Sequence, residues 1–238
     1  SFVHLVMDKT DKPEALAENP AALAENDDTN SSASLSIPLP NDIYGDERKN
    51  SSGFDLSNRS HIAKLSDMLK QYRKKIWSAN SIINGVAVAN NPVDVYSPSD
   101  KTQKIGQVST AKEGDVIAAI DGASGAFDQW SGIDFTKRAL IIERAADLIE
   151  ENAGEFYALL QCEAGKTIAD AIAEVREAVD FCRYYARMAV AEFGTPEKLK
   201  GTTGESNLLS YRGKGVFVCI SPWNFPLAIF IGQIVAAL

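Results

Sequence analysis

Residues 215–230 read GVFVCISPWNFPLAIF, and this stretch restricts the fold more than any other. The six apolar residues GVFVCI are consistent with a fully buried strand of a parallel sheet. Pro226 suits the first turn of a following helix, where its missing N–H leaves no bond unmade. Strand, loop and helix in that order, after a run of helices, predict an α/β protein with a parallel sheet. Ligands in such sheets bind beyond the carboxyl ends of the strands, which is where Ser221-Pro222-Trp223-Asn224-Phe225-Pro226 falls.

Within that loop two prolines restrict the backbone, two aromatics supply walls, and one amide, Asn224, stands between them. An amide N–H aimed into a rigid, partly apolar pocket can donate to an oxygen that becomes negative during a reaction. The same side chain can equally tie the turn to its own backbone. Local chemistry leaves both readings open. Neither usual phosphate fingerprint, GxGxxG or GxxxxGK[ST], is present.

The rest of the chain divides into zones. Residues 1–20 open in an apolar phrase, SFVHLVMD, that reads as the tail of an element already under way. Residues 21–60 turn to Ser, Asn, Asp and Pro, a linker composition with too little apolar content for its own core. Asp55 or Ser57 is placed to cap a short helix whose stripe is Ile62, Leu65, Met68 and Leu69. From about residue 76 the pattern is dense. DVYSPSDKTQKIGQVSTA reads as short strands around a turn, and KEGDVIAAIDGASGAFDQW as a helix. A helical run from Asp134 follows, with Leu140, Ala145, Leu148 and Ile149 on its core face and a break near Gly154. The next long helix closes at Gly194, and NLLSYRG is extended.

A net charge of −8 argues against a broad phosphate-binding surface. The basic cluster Arg73-Lys74-Lys75 reads as a solvated helix face. Ser1-Phe2-Val3-His4 is not expected to be a secretory leader, and no apolar stretch reaches the roughly 18 to 20 residues that span a bilayer. Residues 215–238 come closest, but the prolines and Asn224 interrupt them. Cys162, Cys182 and Cys219 lack metal-ligand spacing and read as small buried hydrophobes in a reduced, cytoplasmic setting, with no metal site expected. His4 and His61 read as incidental.

ISPWNFPLAIF closely resembles the loop of the aldehyde dehydrogenase superfamily that carries its oxyanion asparagine. ADLIEENAGEFYALLQCEAGKTIADAIAEVREAVDFCRYYA and GVFVCISPWNFPLAIFIGQIVAAL resemble the branch acting on glutamate semialdehyde, the 1-pyrroline-5-carboxylate dehydrogenases. SFVHLVMD, IPLPNDIYG and RKNSSGFDLSN resemble the end of a proline dehydrogenase barrel and the connector of the bacterial proline utilization A family. The resemblance implies an aldehyde dehydrogenase-like α/β fold: an incomplete Rossmann-type NAD-binding domain preceded by helices and a mostly irregular linker. Residues 1–20 would be the barrel tail, 21–75 the linker with its short helix, and 76–238 the start of the NAD-binding domain. It further implies that a longer enzyme oxidises proline at FAD in one half, and the resulting semialdehyde to glutamate with NAD in the other. Asn224 would be the catalytic oxyanion donor, and Ile220, Ser221, Pro222 and Trp223 would line the cofactor cleft. Phe225 would wall the substrate pocket. Glu177 matches a helix glutamate near the aldehyde entrance, or is a solvated helix carboxylate.

The resemblance also marks what is missing. The family's nucleophilic cysteine lies well downstream of the asparagine loop, and Cys219 precedes it, so Cys219 is not that nucleophile by motif. The adenosine-binding lysine strand, the glycine-containing cofactor loop, the general-base glutamate and nearly all of the flavin barrel have no counterpart here. The expectation is therefore an internal, catalytically incomplete piece of the longer enzyme, aggregation-prone in isolation because its sheet has an open edge. A non-catalytic scaffold derived from aldehyde dehydrogenase and a monofunctional semialdehyde dehydrogenase are the alternatives. No nucleic-acid partner is implied for this segment. Peripheral contact of the longer enzyme with the inner membrane and its homo-oligomerisation are left open.

Overall fold

The structure is a computed structural model that describes residues 38–72 and 74–238. The expectations for the barrel tail at 1–20, for 21–37 of the linker, for His4 and for Arg73 lie outside the described residues. After a short 3-10 turn at Pro40–Asp42 come α1 (Arg59–Lys70), β1 (Trp77–Ala79), β2 (Ser81–Ile83), β3 (Val86–Val88), β4 (Pro92–Tyr96) and β5 (Lys104–Ser109). They are followed by α2 (Glu113–Ser131), α3 (Phe135–Glu151), α4 (Ala153–Ala164) and α5 (Ile168–Phe193). The hairpin strands β6 (Glu197–Leu199) and β7 (Asn207–Leu209) and then α6 (Ala228–Ala237) complete the order.

The sheet is mixed. β5 is central, with β1 parallel on one side and β4 antiparallel on the other. β2 and β3 form a separate hairpin turned by Asn84-Gly85, both at positive φ, as a two-residue primed turn requires. The predicted parallel strand at 215–220 does not form: these residues are irregular, and Val218 and Ile220 are 74% and 80% exposed. A strand exists only through neighbours that take its N–H and C=O groups, and no described segment lies alongside this one.

The core instead lies between helices. Along α5 the buried positions Ala171, Val175, Ala178, Val179, Cys182 and Ala186 recur at helical spacing and make one apolar stripe. α3 meets it with Ala139, Ile142, Ala146 and Ile149, and α6 adds Ile231 and Val235. Leu140, expected on the α3 core face, is exposed, and Ala145 is only half-buried. The stripe runs through 139, 142, 146 and 149, and Leu140 sits one position round from it, about 100° away. α6 approaches α5 closely because Gly232 lacks a side chain: a Cβ there would stand 2.9 Å from Cδ2 of Phe181.

Helix ends mostly follow sequence chemistry. Thr167 caps α5 by accepting from Asp170 N–H at 3.2 Å, and Gly194 ends it in a right-handed rather than left-handed conformation. The break expected near Gly154 falls at Asn152. Asn58, not Asp55 or Ser57, caps α1, accepting from Ser60 N–H at 2.9 Å. Asp55 is engaged by the Ser57 N–H and hydroxyl instead. Of the α1 stripe, Leu65 is buried, Met68 and Leu69 half-buried, and Ile62 exposed. Lys74 and Lys75 lie beyond the end of α1 rather than on its face, and Lys75 pairs with Glu155. His61 is not incidental: its Nδ1 accepts the Asp55 N–H at 3.0 Å.

The segment 50–52 has a linker's composition and yet is bound along its length. Ser51 donates its N–H and hydroxyl to the two oxygens of Asp180 on α5, at 2.8 and 2.7 Å. Ser52 donates both of its groups to Oε1 of Glu150 on α3, at 2.6 and 2.9 Å. The buried guanidinium of Arg183 joins the two helices to this segment, donating to the Asn50 carbonyl (3.2 Å), Asp147 (3.0 Å) and Glu150 (2.7 Å). No helix among the described residues is long and apolar enough to cross a membrane.

Candidate active site

The loop 220–226 is held at both ends. At its start, Gln233 on α6 donates Nε2–H to the Ile220 carbonyl at 3.1 Å. At its end, Glu174 of α5 accepts the Leu227 N–H (2.8 Å) and the Ala228 N–H (3.3 Å) on one carboxylate oxygen. Leu227, the N-cap of α6, has no side chain able to accept, so Glu174 caps the helix from outside. A carboxylate is the favoured group there because the helix N-terminus carries partial positive charge. α6 accordingly begins after Leu227, and Pro226 precedes the cap instead of sitting in the first turn.

The second Glu174 oxygen lies 2.6 Å from Nζ of Lys166, an ion pair by distance although off the angle of a good hydrogen bond. Glu174 is 2% exposed. The same Lys166 ammonium lies 4.7 Å from the centre of the Phe225 ring, within cation–π range. Lys166 thus contacts both the capping carboxylate and the loop's second aromatic.

Between these ties Asn224 is exposed, and its carboxamide makes no hydrogen bond to a described residue. The turn-tying geometry is therefore not the one adopted, and both amide protons are available to a ligand. Trp223 is 87% exposed, Ile220 is exposed and Ser221 half-buried. An uncovered indole and an exposed branched aliphatic in the same loop leave apolar surface open to a ligand. No glycine-rich phosphate turn stands among residues 220–223. Glu177 is exposed one turn along α5 from Glu174, without a described partner. The structure brings Ile220 to Phe225 into one loop; Glu177 belongs to the neighbouring helix face.

A cleft of about 810 Å³ lies elsewhere, lined by Trp130, Arg138, Tyr184, Tyr185, Tyr211 and Phe217 among others, and contains no residue of the 220–226 loop. Of the cysteines only Cys182 is fully enclosed, where burial pushes its thiol up to about 12. Cys162 and Cys219 are half-buried, short of the full burial their apolar context predicts. Among the described residues no cluster of His, Cys, Asp and Glu could hold a metal.

Glu174, Lys166 and Gln233 were not among the expected site residues. The available signal was Glu174 itself, a charge inside the stripe of Ala171, Ile172, Val175 and Ala178. A carboxylate in an apolar stripe needs a buried partner.

Residues 86–238 match the Aldehyde dehydrogenase family, and that match covers more than half of the sequence. The chain belongs to the aldehyde dehydrogenase family. Within and beyond that region it is 37% identical over 242 aligned residues to the bifunctional protein PutA of Salmonella typhimurium, covering all of this chain and 17% of that protein. Among solved structures of the family's proteins, proline utilization A (PutA) from Bdellovibrio bacteriovorus superposes with a TM-score of 0.74 at 29% identity, over 78% of this chain and 20% of that one. The 1-pyrroline-5-carboxylate dehydrogenase from Thermus with bound NAD superposes with a TM-score of 0.72 at 29% identity, over 79% of this chain and 37% of that one. The chain spans less than a fifth of the length of the bifunctional relatives it matches. The α/β class, the aldehyde dehydrogenase-like fold and the resemblance to PutA all stand.

Proposed function

We propose that this chain is part of a longer proline-catabolic enzyme and contributes mainly to its NAD-dependent L-glutamate-γ-semialdehyde dehydrogenase half. In this reading residues 76–238 begin the NAD-binding domain, and a proline dehydrogenase half carrying FAD precedes them. The observation that supports it best is the continuous match of the whole chain to bifunctional PutA proteins, across the 38–75 segment as well as the dehydrogenase region.

The chemistry assigned to these residues is narrow. A nucleophile adding to the aldehyde carbon pushes the carbonyl electron pair onto oxygen, and the Asn224 Nδ2–H donates to that oxygen as its charge develops. Ile220, Ser221, Pro222 and Trp223 line the nicotinamide and pyrophosphate side of the cofactor cleft, Phe225 walls the aldehyde, and Glu177 stands at the approach to it. NAD⁺, when bound, supplies the acceptor for the hydride that leaves the tetrahedral carbon. Asn224 releases its bond as the carbonyl reforms, so the donor serves the transition state more than the substrate.

The test is NAD⁺ reduction with glutamate semialdehyde by the full-length enzyme containing this chain, with and without Asn224→Ala. Loss of one such donor lowers kcat by about 10²- to 10³-fold. An Asn224→Ala enzyme running at the unaltered rate refutes the assignment.

A further inference from the structure

Building on the oxyanion role proposed for Asn224, we infer that Glu174, locked by Lys166, is the positioning residue that fixes where the Asn224 carboxamide stands. Loop 220–226 is neither helix nor strand and contains only turns, at 223–224 and 226. Its downstream anchor is the pair of N–H bonds from Leu227 and Ala228 to a single oxygen of Glu174, three and four residues after Asn224. Glu174 sits on the 26-residue helix α5, which carries more buried residues than any other element of the described structure. Its position is thus inherited from the core rather than from the loop.

Lys166 completes the lock. Its ammonium holds the other Glu174 oxygen at 2.6 Å and lies over the ring of Phe225, the residue next to Asn224. Its side chain is 14% exposed, largely but not wholly withdrawn from solvent. The loop is therefore gripped by main chain at 227–228 and by a ring at 225, through one carboxylate and one ammonium. A donor acts on a developing oxyanion only within about 2.7–3.1 Å, and a misplacement near 1 Å can lower the rate on the order of 10²-fold. Glu174 touches no reacting atom in this arrangement and acts through Asn224.

The experiment is a double-mutant cycle on kcat in the full-length enzyme, with Glu174→Met, Glu174→Gln and Asn224→Ala. Glu174→Met removes the acceptor and is expected to lower kcat about 10- to 100-fold. Glu174→Gln keeps an acceptor oxygen but loses the charge and should fall less, about 3- to 10-fold. On the Asn224→Ala background either change should cost less than about 2-fold, because nothing remains to be positioned. A purely structural role lowers the active fraction equally in both backgrounds, so additive losses overturn the inference. Asn224→Ala at full rate removes the oxyanion assignment and this inference with it. A slow Asn224→Ala beside a full-rate Glu174→Met overturns this inference alone. Should Glu174→Met not fold, Lys166→Met provides the same cycle with both N–H bonds intact, and additivity there is equally fatal.

Discussion

Replacing Arg183 by Met tests whether the 50–52 segment is bound by charge, as the geometry states. Methionine keeps most of the aliphatic stem and removes three bonds, to Glu150, Asp147 and the Asn50 carbonyl. The three losses are unequal. Asp147, with a side chain 52% exposed, rehydrates, and its share is that of a surface pair, about 0–1 kcal/mol. The Asn50 carbonyl belongs to a buried residue and loses a donor, about 1 kcal/mol or somewhat more. Glu150, with a side chain 17% exposed, loses the only donor that the described residues supply to one oxygen but keeps both Ser52 donors on the other. Breaking a fully buried pair costs about 3–5 kcal/mol, and the surviving serine bonds place this case near the bottom of that range, about 3 kcal/mol.

The pH dependence carries its own sign. Burial alone would raise the Glu150 carboxyl, but the Arg183 hydrogen bond together with the Ser52 donors holds it below the usual carboxylate range. A group depressed in the folded state contributes stability above its unfolded value, about 4.3, and loses it as pH falls through the folded value. Chemical denaturation of Arg183→Met should therefore show its deficit in full at pH 7 and a smaller one below about pH 4. A deficit under about 1 kcal/mol at neutral pH, or one equally large in acid, contradicts the account.

Two further outcomes follow from packing. Iodoacetamide at mild alkaline pH should label Cys162 and Cys219 well before Cys182, whose enclosed thiol is pushed up to about 12; peptide mapping that finds Cys182 labelled as fast refutes this. Gly232→Ala gains helix propensity of about 1 kcal/mol. It also forces a Cβ to 2.9 Å from Phe181, an overpacking cost of about 1–3 kcal/mol, so a modest net loss is expected in urea midpoints and a stabilised variant is the contrary result.

The helices were legible because their signals are local. Phe135–Glu151 and Ile168–Phe193 announce themselves through apolar spacing and through Asp134, Thr167 and Gly194 at their ends. Asn84-Gly85 marks the β2–β3 hairpin by an equally local sign, although that hairpin was not among the expectations. What depended on distant partners was not legible. Residues 215–220 have strand composition but no described neighbour to pair with. Residues 50–52 look loose because their attachment is to Asp180, Glu150 and Arg183, at least 98 positions away, rather than through apolar burial. The loop that bears Asn224 could be placed after the apolar run, yet its anchor, Glu174, lies 53 positions upstream.

Gly165 ends α4 with a left-handed φ of 66°, Lys166 follows, and Thr167 already caps α5. Three consecutive residues thus terminate one helix, supply a cation and start the next. Adding or removing a single residue between Thr167 and Glu174 would turn the carboxylate by about 100° around the α5 axis and carry it away from Leu227. Chain length is consequently frozen across this junction. The exposed turn at 201–205 between β6 and β7 is free to grow or shrink. Insertions and deletions among related chains should accumulate at that turn and be absent from 165–174.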